Sequence, residues 1–322
     1  MKSMRVAAIQ MRARLADVEA NLRSADRLVQ EAFRKGAEWV ILPEFFTSAV
    51  GFNRKMLDVA EPLEGRAMEL LKRLAREHQG VVGGSFIALR GLQSYNSFVL
   101  AFPDGSTVLH DKDQPTLWEN CYYLGGNDDG VLCTPQGNVG AALCWEFVRT
   151  RTARRLRGRV DVVVGGSCWW TLPEKALPGF PRALRERNLE IMIETPGRFA
   201  RMLGVPVVHA GHAGEFEGGL PLLPGFPFRS HYLGETQIVN GDGQILDRMR
   251  YEDGEGLVLA EISLGRKSAP GEPIPDRFWI PDLPPQIRFL WDIQNLHGRR
   301  YYRRKTLPYQ MKRQGLSRPE QA

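Results

Sequence analysis

Residues 5–46 read RVAAIQMRARLADVEANLRSADRLVQEAFRKGAEWVILPEFF, and the change of period within this stretch decides the fold class. Val6 to Ile9 is a short apolar run. Val18, Leu22, Ala25, Val29 and Ala32 then recur at spacings of four and three, which places them on one face of a helix. Gly36 suits the left-handed residue that closes a helix, and Trp39-Val40-Ile41-Leu42 follows as a continuous apolar run of the kind buried on both faces. Strand, helix and buried strand in succession predict an α/β protein.

Working outward, the alternation repeats. A second helix is predicted after Gly65, with Ala67, Leu70, Leu71, Leu74, Ala75 and His78 on one side, and strands follow at 81–87, 97–101 and 108–110. Further strands are predicted at 139–143, 160–164 and 205–209, with a helix containing Leu189 to Leu203 before the last of them. Asn240-Gly241-Asp242-Gly243, between apolar runs at 236–239 and 244–248, is a hairpin signal, and 256–262 supplies one more strand, so the sheet is mixed. Beyond Gly265 the chain carries Pro270, Pro273, Pro275, Pro281, Pro284 and Pro285 and then an aromatic, basic end. We therefore divide it into residues 1–265 and a C-terminal extension, 266–322. Phe289, Leu290, Trp291 and Ile293 are too apolar for a free tail, so the extension is expected to pack on the body or on a partner subunit.

The 322 residues are 43% hydrophobic and 25% charged, the balance of a chain with a sizeable core and not of a disordered or collagen-like one. No run approaches the roughly 18 uncharged apolar residues that span a bilayer, so a cytoplasmic protein without a membrane partner is expected. Cys121, Cys133, Cys144 and Cys168 form no Cys-x-x-Cys pair, and His209 with His212 lacks a nearby carboxylate motif; no disulfide framework and no metal site are indicated. The charge of +6 concentrates in six arginines between Arg149 and Arg159 and in a second basic run from Arg299 to Lys305. With no zinc finger or aromatic-interleaved motif beside them, these runs read as solvated or interface-lining helix faces, and no nucleic-acid partner is expected.

Three segments place a reactive group at the end of an apolar strand: a carboxylate in Ile41-Leu42-Pro43-Glu44, an amine in His110-Asp111-Lys112, and a thiol in Ala141-Ala142-Leu143-Cys144. Strand ends are where α/β enzymes collect catalytic groups, because the sheet fixes the side chain while the loops admit substrate. The set is chemically coherent. A carboxylate can take a thiol proton, a thiolate can attack an electrophilic carbon, and an ammonium can stabilise the anion that develops.

Together these segments resemble the nitrilase superfamily of carbon-nitrogen hydrolases, whose Glu-Lys-Cys triad occurs in this order and in these contexts. The resemblance spans roughly Arg5 to Ile262. It rests on Leu42-Pro43-Glu44-Phe45, on Lys112 followed by Pro115-Thr116, Glu119, Tyr122 and Gly125, and on Leu143-Cys144-Trp145-Glu146. Val160 to Val164 leading to Ser167-Cys168-Trp169-Trp170, the segment from Phe199 to Val208, and the 234–246 hairpin agree with later landmarks of the family. The resemblance implies a four-layer αββα sandwich with two mixed β-sheets, and subunits that pair through helices into a homodimer or higher oligomer.

It also implies roles. Glu44 becomes the general base, Cys144 the nucleophile that forms a thioester, and Lys112 with the backbone N–H of Trp145 the groups facing the oxyanion. Glu119 becomes a second carboxylate orienting Lys112 or substrate, while Glu146 either orients a loop or caps the next helix. Phe46, Trp169, Trp170 and His209 are candidate pocket walls. The implied substrate is a small nitrile or amide, with no cofactor. Lys112-x-x-Pro115-Thr116-x-x-Glu119 and Cys144-Trp145-Glu146 point toward the nitrilase branch, whereas Phe147 and Trp169-Trp170 depart from it. N-carbamoyl amines need the same triad, and an acyltransferase would pass the same thioester to an amine.

Overall fold

The computed structural model describes residues 3–172, 182–221, 223–267, 269–276 and 285–316. In chain order its elements are β1 (Ser3–Met11), α1 (Val18–Arg34), β2 (Trp39–Ile41), β3 (Glu61–Pro62), α2 (Arg66–His78), β4 (Val81–Arg90), β5 (Gln93–Ala101) and β6 (Thr107–Asp111). There follow β7 (Val131–Thr134), β8 (Gly137–Leu143), α3 (Thr150–Leu156), β9 (Val162–Ser167), α4 (Arg182–Leu203), β10 (Val207–His212), β11 (Glu215–Leu220) and β12 (Leu223–His231). The chain closes with β13 (Thr236–Val239), β14 (Ile245–Met249), β15 (Gly256–Ser263), α5 (Pro285–Tyr301), a π-helical turn (Tyr302–Thr306) and α6 (Leu307–Arg313).

The protein is a mixed α/β structure whose main strands form one hydrogen-bonded path, β6-β5-β4-β2-β1-β10-β9-β8-β7. Its middle is narrow. Ser3 to Gln10 of β1 pair with β15, and only Gln10 and Met11 pair with Gly211 and His212 of β10. Laid flat, β6 and β8 would stand seven steps of about 4.8 Å apart, some 34 Å. Yet His110 of β6 and Glu146, just beyond β8, are 3.0 Å apart. The two halves therefore face each other.

Period-two alternation sorts the side chains into layers. Val6, Ala8, Trp39, Ile41, Phe98 and Leu100 of one half share a core with Val139, Ala141, Val162, Val164, Val208 and Ala210 of the other. Their alternate neighbours Ala7, Ile9, Val40, Val82 and Val99 pack outward against α1 and α2. Val163 and Val207 pack outward against α3 and α4. Being covered on both faces is why these strands read as unbroken apolar runs.

Helix ends follow local chemistry. Asp17 caps α1 by accepting from the Ala20 N–H at 3.1 Å. The helix closes at Lys35 and Gly36, the latter at φ +86°. The 149–159 run is not a uniformly solvated face: Arg149 is fully buried in an ion pair with Asp113, and Arg155 lies 3.5 Å from Asp113 and 3.4 Å from Glu146.

The 285–316 segment lies on the body. Tyr302 Oη accepts from the Ser94 N–H at 3.1 Å, and Gln310 Nε2 donates to the Leu57 carbonyl at 3.1 Å. Gly298 lets α5 approach residues 117–121, since a Cβ there would fall 2.5 Å from the Asn120 side chain. Pro281 and Pro284 lie outside the described residues.

Candidate active site

Strand direction gathers the reactive groups. β2 runs parallel to β1 and β4, β4–β5 and β5–β6 are antiparallel, and β1, β10, β9 and β8 are mutually parallel along the path. Hence β2, β6, β8 and β9 all end at the same side. Glu44, Lys112, Cys144 and Cys168 follow those four ends and emerge together, in the crevice where open α/β sheets bind ligands.

All four expected catalytic side chains meet there, sealed from solvent. Lys112 Nζ lies 2.8 Å from Glu44 Oε1 and 2.7 Å from Glu119 Oε2. Cys144 Sγ and one oxygen of each carboxylate lie within 4.8 Å of one another. Such a trio could ligate a metal ion, but each carboxylate already gives an oxygen to the ammonium, which supplies the positive charge. Glu44 also accepts from Asn96 Nδ2 at 2.9 Å and from the Cys168 backbone N–H at 3.0 Å. Glu119 accepts from the Thr116 N–H at 2.9 Å and from the Tyr123 hydroxyl, while its Oε1 is buried without a hydrogen-bond partner. That oxygen is an acceptor open to a ligand N–H.

The backbone is strained at Cys144, directly after Glu44 and two residues before Glu119. Phe45, Leu117 and Cys144 have φ of +54°, +52° and +50°, a region that residues other than glycine avoid and that clusters at functional sites. The turn at Cys144 throws its sulfur off the end of β8 into the crevice.

Electrostatics divide the roles. Burial pushes the Glu44 carboxyl up to about 7, against the pull of Lys112. Burial acts the other way on Lys112, but Glu119 and Glu44 overcome it and hold the ammonium well above its usual range. Burial, aided by the Glu44 charge, also keeps the Cys144 thiol protonated far above the ordinary thiol range. This thiol is not a standing thiolate; to act as a nucleophile it would need a base. The activity per enzyme, read as kcat/KM, is accordingly expected to rise through about pH 7 as Glu44 ionises, and a flat profile from about pH 5.5 to 8 would exclude Glu44 as the base. Stability runs the opposite way for this group: its raised value adds stability below the usual carboxyl range that is lost as pH climbs through about 7.

The expected pocket walls divide. Trp169 and Trp170 share the Cys144 cluster: Trp169 lies 6.0 Å from Trp145, and Trp170 stacks on Trp118 at 4.3 Å. Trp145 itself stacks on Trp291 of α5 at 5.0 Å, so the C-terminal segment touches the residue after the thiol. Phe46 is elsewhere, in the outer layer with Phe86 at 6.2 Å; its neighbour Phe45 is the ring near Lys112, 6.0 Å from Nζ. The left-handed turn at Phe45 reverses the order that simple alternation predicts. His209 also points outward, to Ser167 Oγ at 2.8 Å and the Phe147 ring at 5.2 Å. Three residues on, His212 faces inward and bonds the Glu44 carbonyl at 2.7 Å. Phe147 packs between His209 and Phe199, away from the sulfur, so its departure from the family pattern belongs to the outer layer.

Sequence reading missed Asn96, Tyr123, His212 and the Cys168 backbone. Only Tyr123 left a signal, four residues after Glu119; Tyr122, the aromatic of the expected pattern, instead bonds the Asn53 backbone. Glu146 is a loop-orienting group: its carboxylate accepts from the Leu143 N–H at 2.9 Å and the Asp113 N–H at 3.0 Å.

Comparison with known proteins agrees with this geometry. A nitrilase from Pyrococcus abyssi is 26% identical over 266 residues, 81% of this chain and 90% of that one. An omega-amidase of Xenopus laevis, NIT2-B, is 33% identical over 139 residues, 39% of this chain and 50% of its own. The crystal structure of a carbon-nitrogen hydrolase from Helicobacter pylori superposes with a TM-score of 0.69 at 20% identity, covering 81% of this chain and 89% of that one. The family model for carbon-nitrogen hydrolases matches residues 5–269, which takes in every strand of the path and all four polar groups of the crevice. With the motifs, the layers and the match in accord, the chain belongs to the carbon-nitrogen hydrolase family of the nitrilase superfamily and is a hydrolase of carbon–nitrogen bonds other than peptide bonds.

Proposed function

We propose that the protein converts a nitrile or a primary amide to the carboxylic acid and ammonia through a thioester on Cys144. The observation that carries this reading is the meeting of one sulfur, two carboxylates and one ammonium in a sealed crevice, with Lys112 Nζ 2.8 and 2.7 Å from Glu44 and Glu119. Glu44 takes the thiol proton as the sulfur bonds to the electrophilic carbon. The negative charge that develops on the substrate heteroatom faces Lys112 and the Trp145 N–H. With an amide, Glu44 passes the thiol proton to the substrate nitrogen and the tetrahedral adduct collapses to the thioester as ammonia leaves. With a nitrile, the same proton goes to the nitrogen to give a thioimidate, which takes up one water whose two protons reach the nitrogen through Glu44 as ammonia leaves and the thioester forms. In both cases Glu44 then deprotonates a water that cleaves the thioester and frees Cys144.

Glu119 Oε1, buried and open, supports a contact to a substrate N–H, which an amide or a thioimidate offers and a nitrile does not. N-carbamoyl amines fit the same crevice chemistry. The tryptophans about Cys144 favour a substrate with a flat or apolar part. The reading includes a homodimer; Leu189 on α4 and Ile245 and Leu246 on β14 are exposed apolar side chains that a partner subunit could cover. No described helix is long and apolar enough to cross a membrane, and an action in the cytoplasm forms part of the same reading.

The test is ammonia release across a panel of nitriles, primary amides and N-carbamoyl amines. Release above the uncatalysed rate for at least one class, absent without enzyme, is the expected outcome. No release from any class would end the proposal.

A further inference from the structure

Glu146 does more than the neighbouring turn requires. A carboxylate two residues after the nucleophile can cap its own turn, which explains the Leu143 N–H at 2.9 Å on Oε2. It does not explain the Asp113 N–H at 3.0 Å on Oε1, which comes from the segment just after β6, 33 residues away. Leu143 precedes Cys144, and Asp113 follows Lys112. One buried carboxylate thus holds the backbone beside the sulfur with one oxygen and the backbone beside the ammonium with the other.

The support behind it is equally built. His110 Nε2 lies 3.0 and 3.2 Å from the two Glu146 oxygens, and its Nδ1 meets the Asp128 carboxylate. Asp128 in turn accepts from the Asp111 N–H at 2.9 Å and the Gly130 N–H at 2.9 Å. Arg155 Nη2 from α3 lies 3.4 Å from Glu146 Oε1, and the Asp113 carboxylate, facing the same arginine, is held by Arg149. Burial alone would neutralise both members of the His110–Glu146 pair. Facing each other they stay charged, the imidazolium pushed up to about 10 and the carboxyl held below its usual range.

We propose that Glu146, held by the Asp128–His110 pair, is a positioning residue that sets the separation between the Cys144 sulfur and the Lys112 ammonium. The inference rests on the roles proposed above for those two groups. The chemistry requires an ionised carboxylate because only that group accepts at both oxygens; an amide in its place turns an N–H toward a backbone N–H. The change acts through Cys144 and Lys112 and should therefore appear in the transition state and not in substrate binding.

The test compares wild type with E146Q and H110N in two measurements: alkylation of Cys144 by iodoacetamide, followed by mass spectrometry, and steady-state hydrolysis of a substrate that releases ammonia. For folded E146Q, kcat is expected to fall by about 100-fold or more with KM within about threefold, the pattern of a contact made only in the transition state. Cys144 alkylation should slow by roughly tenfold or more, with a smaller loss of both in H110N. Wild-type kcat and alkylation in folded E146Q, or a raised KM with kcat retained, overturns the proposal. If E146Q does not fold, wild-type values in H110N overturn it equally. Alkylation is read without turnover, so an unchanged alkylation rate counts against the clamp alone, whereas slowed alkylation without any ammonia release counts against the proposed reaction alone.

Discussion

Replacing Cys144 by alanine is expected to lower ammonia release by about 10⁴- to 10⁶-fold, the loss seen when the nucleophile of a catalytic triad is removed. The argument is geometric first. Cys144 is the thiol whose sulfur lies within 4.8 Å of both buried carboxylates. Its competitors are less well placed: Cys133 is exposed, and burial pushes the Cys121 thiol far up. Cys168 offers its backbone N–H to Glu44 and is the one to watch. Because alanine removes a single sulfur atom from a site already closed, the cost in stability should be about 1 kcal/mol. The check is parallel ammonia release and melting of wild type and Cys144→Ala, with peptide mass spectrometry for a substrate adduct. Activity within about tenfold of wild type, or an adduct on Cys168, would show that the wrong thiol has been assigned.

Lys112→Met should produce the second largest loss in rate, and a larger loss in stability than Cys144→Ala. The substitution leaves Glu44 and Glu119 facing each other without the ammonium that bridges them at 2.8 and 2.7 Å. Removing one partner of a buried charge cluster typically costs about 3–5 kcal/mol. It also removes a donor to the developing anion, worth roughly 10²- to 10³-fold in kcat. The two effects share a pH signature. Lys112 opposes the burial that raises Glu44, so without it the carboxyl climbs further above about 7. A carboxyl raised in the folded state stabilises when protonated, so the variant should lose more stability at pH 8 than at pH 5.5, and the rise of kcat/KM should move to higher pH. Denaturant unfolding at the two pH values and a pH–rate profile measure both. A variant as stable as wild type at pH 8, with an unmoved profile, would mean that Lys112 does not bridge the carboxylates in solution.

How much of this was legible before the structure depends on what kind of signal each residue carries. Cys144 and Glu44 were readable because each follows an apolar run, which reads as a buried strand whose end faces a crevice, whereas Lys112 follows the mixed strand Thr107–Asp111 and was readable with Pro115-Thr116 and Glu119 of its motif. Glu119 was reachable through its motif. The helices α1 and α2 announced themselves by period, whereas β11, β12, α3 and α5 lie among arginines, glycines, prolines and mixed polar residues that show no clear period. Phe46 and His209 show the limit well. Phe46 stands one residue, and His209 three residues, from one that does reach the site, Phe45 and His212, and which of each pair points inward is settled by a left-handed turn in one case and by strand alternation from an unseen start in the other.

The sequence by itself determined the α/β class, the buried strands and the candidate reactive groups, because periodicity, burial and strand ends are local properties of a chain. Only the tertiary structure decided that β6 and β8, far apart along the sheet, lie face to face, and so which polar atoms complete the site: Asn96 and Cys168 on Glu44, Tyr123 on Glu119, and Glu146 between the strands of Lys112 and Cys144. Those contacts join residues from 3 to 124 positions apart. No local pattern encodes the long-range ones, since they exist only once the two halves of the sheet, each unable to bury its inner face alone, have closed on one another.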